Sequence, residues 1–157
     1  MPVTAKCVKE YLMSVAEYQC VAASCMNRIE DLQTSITKIT SQLTGMPHGG
    51  GSDSAEKLTR YISDMDEAKK DWEKWSNATH HRRHRVEYFI KDMPLEDSQK
   101  SVLIKRYCLN YSWVELKCST GFSESKLFGM HREALETCAN YINETGNYYD
   151  EVKEYLL

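Results

Sequence analysis

The sequence is poor in residues that break helices. Only three prolines occur, and four of the seven glycines (Gly45, Gly49, Gly50 and Gly51) crowd into one short stretch. Long helices are therefore allowed over most of the chain. There is no continuous apolar run of about 20 residues, so no membrane-spanning helix is expected. The opening Met1-Pro-Val-Thr-Ala-Lys6 lacks the apolar core of a secretion signal, which makes the cytoplasm the expected location. The six cysteines, Cys7, Cys20, Cys25, Cys108, Cys118 and Cys138, form no CxxC pair. No Cys/His set has zinc-finger spacing, so mostly buried, reduced thiols are expected. The glycine cluster follows no strand and precedes no Lys-Ser/Thr, which argues for a turn and against a phosphate cradle. No Ser, Cys or His sits in a motif that would set a nucleophile against a base. The expectation is a non-enzyme with no cofactor and no metal.

What the chain does have is helical periodicity. Val8, Val15, Ala22, Ile29, Ile36 and Leu43 recur at every seventh position, with Tyr11, Tyr18, Cys25, Leu32 and Ile39 three places after them. Alternating steps of three and four define a coiled-coil seam. The small residues Ala22 and Cys25 predict a close approach at its middle. Gly45 to Gly51 ends this helix, and Asp53 and Glu56 suit the cap of a second one. Its apolar face is read as Leu58, Ile62, Met65, Trp72, Val86, Phe89 and Ile90, running to Asp92 or Met93, with Trp72 and Trp75 as wide seam residues. Each helix has about 40 residues, or about 60 Å at 1.5 Å per residue. Equal arms joined by a short turn predict an antiparallel hairpin over residues 1–93. Such a hairpin alone leaves apolar surface uncovered, so self-association is expected, with a dimer favoured.

Pro94 is expected to open a third helix, with Glu96 and Asp97 in its first turn and Val102, Leu103, Tyr107 and Leu109 on its apolar face. Ser112-Trp-Val-Glu115 is a capping box. Gly121 supplies a left-handed turn, and Ser123 caps the next helix. Trp113, Leu116, Leu127, Met130, Ala134 and Leu135 fall where two crossing helices would share a core. A two-helix unit of this spacing commonly offers its second helix to a DNA major groove. The fold class expected is all-α: a long, coiled-coil-like antiparallel hairpin followed by a three-helix helix-turn-helix domain over residues 94–145. Residues 146–157 form a short acidic segment, with Tyr149, Val152 and Leu156 at helical spacing, able to fold back or to bind a neighbour.

Ile104-Lys-Arg-Tyr107, Ser112-Trp113, Glu115-Leu116, Gly121-Phe-Ser123, His131 and Ala134-Leu135 resemble phage-encoded transcriptional regulators of the ArpU and RinA type. The C-terminal part of those proteins is similar to region 4 of bacterial sigma factors. Met46 to Gly50 and Ser52 to Ser54 also resemble the inter-helix segment of that group. The resemblance implies control of phage or prophage genes through double-stranded promoter or operator DNA, with RNA polymerase as a further partner. Carried over by position, it puts Glu124, Ser125, Lys126, Phe128 and Gly129 on the exposed first turns of the recognition helix. Lys126 would meet a guanine edge or phosphate, Ser125 a phosphate or base, Glu124 a cytosine amino group and Phe128 a thymine methyl. Gly129 would let the backbones approach. Arg106, Tyr111, Ser112 and Trp113 fall where sigma-like domains meet phosphates. The chain departs from the pattern at Lys117, usually a small Ala, and at Thr120, usually Leu.

Charge is the counterweight. Residues 95–157 carry 7 Lys and Arg against 10 Asp and Glu, whereas phosphate neutralisation usually dominates DNA affinity. A dimer would raise avidity. The dense basic run His80-His-Arg-Arg-His-Arg85 reads as a solvated face. Its His80 and His84 have metal-pair spacing, but no clear third ligand. Two further functions fit the same pattern: a sigma-shaped module that binds polymerase or another protein, and a small terminase-like packaging protein.

Overall fold

The structure, a computed structural model, describes residues 1–45 and 51–156, and all regular elements among them are helical. Two long helices, α1 (Ala5–Gly45) and α2 (Gly51–Asp92), form the antiparallel hairpin. The turn expected from the glycine cluster falls on residues 46–50, outside the described residues. Contacts divide the chain into two compact units, residues 18–79 and residues 1–17 together with 80–157. The sequence reading draws its boundary at Met93/Pro94 instead. The difference has a packing cause: the inner turns of both arms carry large apolar side chains that join helices from the C-terminal third.

The 18–79 unit is a pair of helices joined by a heptad seam. On α1, Ala22 is buried and Cys25, Ile29, Leu32, Ile36 and Ile39 are half-buried. On α2 the inward positions are Ser54, Leu58, Tyr61, Met65, Ala68, Trp72, Trp75 and Thr79, an unbroken alternation of four and three. Ile62, expected on this face, is 48% exposed. It follows the seam residue Tyr61 directly, and one helical step turns it about 100° away. Thr79 is buried, its hydroxyl donating to the Trp75 carbonyl at 2.7 Å. Tyr18 meets Trp75 edge-on at 5.8 Å. The exposed Arg28–Asp71 pair at 4.0 Å adds little in high dielectric.

The second unit gathers α1's first turns, α2's last turns and four further helical elements. These are α3 (Asp97–Leu103), which runs into a π-helical turn at Ile104–Cys108, then α4 (Trp113–Thr120), α5 (Glu124–Thr145) and α6 (Tyr149–Val152). One core joins Val8, Tyr11, Leu12 and Val15 to Val86, Phe89, Ile90 and Met93, and these to Leu103, Leu135, Cys138, Ile142 and Val152. Polar ties close it. The Asn143 side chain accepts from the Val3 N–H at 2.8 Å and donates to the Val3 carbonyl at 2.9 Å. Tyr11 Oη donates to Glu151 at 2.8 Å, Arg85 pairs with the same carboxylate, and Tyr148 Oη donates to Asp92 at 2.8 Å. The acidic C-terminal segment thus folds back on the arms.

Three local expectations are corrected here. Pro94 precedes α3 and does not open it; Glu96 is the N-cap, its N–H donating to Gln99 Oε1 at 3.1 Å. Leu109 is 56% exposed, because the π turn, closed by Leu109 N–H to the Ile104 carbonyl at 3.0 Å, carries one residue more than an α turn and throws it outward. Only Cys7, Cys108 and Cys138 are buried; Cys25 is intermediate, Cys20 and Cys118 are exposed, and all six are free.

Candidate nucleic-acid interface

The segment from Tyr111 to Leu135 is built as its sequence specifies. Ser112 Oγ accepts from the Glu115 N–H at 3.1 Å, and the Ser112 N–H donates to Glu115 Oε2 at 2.7 Å. Gly121 takes the left-handed conformation at φ 73°, its N–H closing on the Lys117 carbonyl at 2.9 Å. Ser123 Oγ then accepts from the Lys126 N–H at 3.2 Å to cap α5. Leu116 and Leu127 are buried against Val102 of α3, with Tyr111, Trp113, Phe122 and Met130 packed around them. Ala134 and Leu135 belong to the larger core. The two departures from the family pattern are accommodated. Lys117 is exposed, and Thr120 directs its hydroxyl to the Leu116 carbonyl at 2.7 Å while accepting from the Phe122 N–H at 3.3 Å.

The nine candidate DNA-contacting residues separate into two groups. Glu124, Ser125 and Lys126 are exposed on the first turn of α5, and Phe128 is 48% exposed. The Lys126 ammonium lies 4.0 Å from the centre of the Phe122 ring, a cation–π contact. Gly129 is half-buried, and a Cβ there would meet nothing within 4 Å, so packing within the chain does not require glycine. The second group builds the motif. Arg106 donates to the Tyr111 carbonyl at 2.9 Å and its guanidinium lies 5.1 Å from the Trp113 ring. Trp113 is edged by Phe128 at 4.8 Å and by His131 at 5.1 Å. Ser112 is occupied as the cap. Tyr111 is half-buried in the small core.

His131 lies behind this surface. Its Nε2 is 2.5 Å from Tyr107 Oη, and the two rings stack at 5.8 Å. Burial, reinforced by the charges of Lys9 and Arg106, lowers its pKa to about 4. Burial also raises the Tyr107 phenol to about 12. Both groups are therefore neutral near pH 7, and Tyr107 can donate to the imidazole. This aromatic cluster supports the turn between α3 and α4 and holds no charge of its own.

Sequence reasoning missed a cleft beside the motif. It has a volume of about 200 Å³, and Lys9, Met13 and Ala16 of α1 line it together with Arg106, Tyr107, Asn110 and Trp113. No local signal brings Lys9 to Arg106, since their meeting depends on the hairpin base packing against the π turn. The basic run of α2 is in part the solvated face expected of it, with His80, His81, His84 and Arg85 exposed, but its arginines also make contacts within the unit. Arg85 pairs with Glu151, the Arg82 guanidinium lies 5.8 Å from the Tyr11 ring, and Arg83 is half-buried. The His80 and His84 rings stand 4.5 Å apart, and no cluster of three or more potential metal ligands occurs among the described residues. Folding this run in with the motif shifts the charge balance. Residues 1–17 and 80–157 together carry 13 Lys and Arg against 14 Asp and Glu, close to neutral where residues 95–157 alone are clearly acidic. No helix among the described residues is long and apolar enough to cross a membrane. The chain matches no protein-family model, no curated protein and no solved structure.

Proposed function

We propose that this chain is a DNA-binding transcriptional regulator of phage or prophage genes, of the ArpU and RinA type, acting in the cytoplasm as an oligomer with a dimer favoured. The observation that carries the reading is the first turn of α5. A Ser123 cap fixes it, Leu127 anchors it from beneath, and it offers Glu124, Ser125 and Lys126 to solvent with Phe128 one turn on. Polar side chains of this kind on an exposed helix start are what reading a major groove requires. RNA polymerase is the second partner in this reading, and no catalytic step is assigned.

A protein-binding role without DNA has one specific support. Leu109, at the end of the π turn, and Val114, in the first turn of α4, are 56% and 66% exposed, apolar side chains beside the motif that a partner could cover. The deciding experiment is duplex binding at low salt, with fragments tiled across the genes neighbouring this one. Sequence-selective binding is expected, with two chains per site. Lys126→Ala and Ser125→Ala should each weaken it by about 1–3 kcal/mol for a lost base contact. Absence of selective binding to any fragment, together with polymerase capture by the pure protein, would move the reading to the protein-binding role.

A further inference from the structure

We infer that α1 supplies half of a phosphate-binding cleft, in which Lys9 and Arg106 hold one backbone phosphate of the duplex that α5 reads; the inference rests on the DNA-binding reading above. Three features of the cleft select this ligand. Its volume of about 200 Å³ is below the roughly 300–1,000 Å³ of pockets that enclose small organic ligands. It suits one tetrahedral anion carried past on a polymer. Its lining contains two cations, Lys9 and Arg106, and no carboxylate. Lys9 is exposed and makes no salt bridge among the described residues.

Arg106 is ordered in advance. One of its nitrogens donates to the Tyr111 carbonyl and its plane lies by the Trp113 ring, while a guanidinium has five N–H donors in all. Holding this group still beforehand lowers the entropy lost when an anion arrives. Two cations lining one small cleft also repel each other, and an anion between them turns that repulsion into attraction. The influence of both charges on neighbouring His131 agrees with this shared field. The Met13 and Trp113 side chains give apolar walls of the kind a deoxyribose can rest on. The hairpin base then belongs to the DNA-binding surface itself, and is more than an assembly arm.

The test is a salt titration of duplex binding by the full chain, using a fragment that the wild-type protein selects. Each phosphate contact contributes a slope of about 0.9 in log affinity against log salt, or about 3.5-fold between roughly 50 and 200 mM. Lys9→Gln leaves Arg106 alone on that phosphate, so the wild-type advantage should shrink by up to about 3.5-fold across that range, with sequence preference unchanged. Lys9→Arg should keep the wild-type slope, and so should Lys38→Gln, an exposed lysine farther along α1. A Lys9→Gln slope equal to wild type would overturn the cleft while leaving the DNA reading intact, even if affinity fell uniformly at every salt concentration. A wild-type chain that binds no duplex would overturn both.

Discussion

Protonation of His131 should unlock the support beneath the helix-turn-helix, and its burial beside Lys9 and Arg106 sets the sign of the effect. The imidazole has a folded pKa of about 4 against an ordinary 6.5, set first by burial and then by Lys9 and Arg106. A depressed histidine pKa means that the unfolded chain takes up the proton first as pH falls. The stability linked to His131 is therefore complete above about pH 6.5, declines as pH falls from there, and is gone below about 4. At about 1.4 kcal/mol per unit the shift corresponds to at most about 3.5 kcal/mol. Solvent reaches part of the ring, and screening lowers this to about 1–2 kcal/mol. Carboxylates titrate in the same window, so wild type must be compared with His131→Gln, which cannot ionise but keeps an acceptor for Tyr107. Urea unfolding at pH 7 and pH 4.5 should show wild type losing about 1–2 kcal/mol more than the variant. Parallel losses in the two proteins, or a His131 proton resonance titrating near 6.5, would refute the argument.

Two further substitutions probe the frame. Gly121→Ala places a Cβ at φ 73° with nothing within 4 Å of it, so only backbone strain opposes it. A loss of about 1 kcal/mol is expected in urea unfolding, with Gly121→Asn milder. Asn143→Ala removes both bonds to Val3, a residue only 3% exposed. It should cost about 2 kcal/mol and speed amide exchange at Val3, which hydrogen-exchange measurements would report.

The hairpin was legible because a heptad seam is a periodic signal that every turn repeats. On α1 the predicted seam turns inward from Val8 to Ile39, while Leu43, its last expected member, is 38% exposed. On α2 it was only half legible. Ser54 and Thr79 are polar and Ala68 is small, so these seam positions carry little signal, and the strongly apolar Ile62 masks its seam neighbour Tyr61. The caps of α4 and α5 were fully legible, since each depends on residues at most three places apart. The π turn at Ile104–Cys108, with Asn110 at φ 57°, left no such mark. It is held by tertiary packing and by Arg106 bonding to the Tyr111 carbonyl, and local propensity does not encode either. Among the candidate contacts, sequence position identified the exposed start of α5. It could not separate residues that face outward from Arg106 and Trp113, which hold the motif together.

The net charge around the helix-turn-helix narrows from −3 for residues 95–157 to −1 when the chain is divided where its contacts divide it. Among the described residues, the small core under α4 and the start of α5 is Val102, Leu116 and Leu127, with Tyr111, Trp113, Phe122 and Met130 packed around it. A cluster this small contributes little against the conformational entropy of ordering the motif. The second half of α5 supplies the remaining anchorage through Ala134, Leu135, Cys138, Ala139 and Ile142, and all five pack into the core shared with α1 and α2. The same packing draws Glu151 and Asp92 into contacts with Arg85, Tyr11 and Tyr148, engaging two of the acidic groups within the body. It also brings Lys9 and Arg106 into the lining of one cleft. The hairpin base therefore stabilises the helix-turn-helix and changes the electrostatics around it through one set of contacts, and a substitution that loosens the base should weaken fold and interface together.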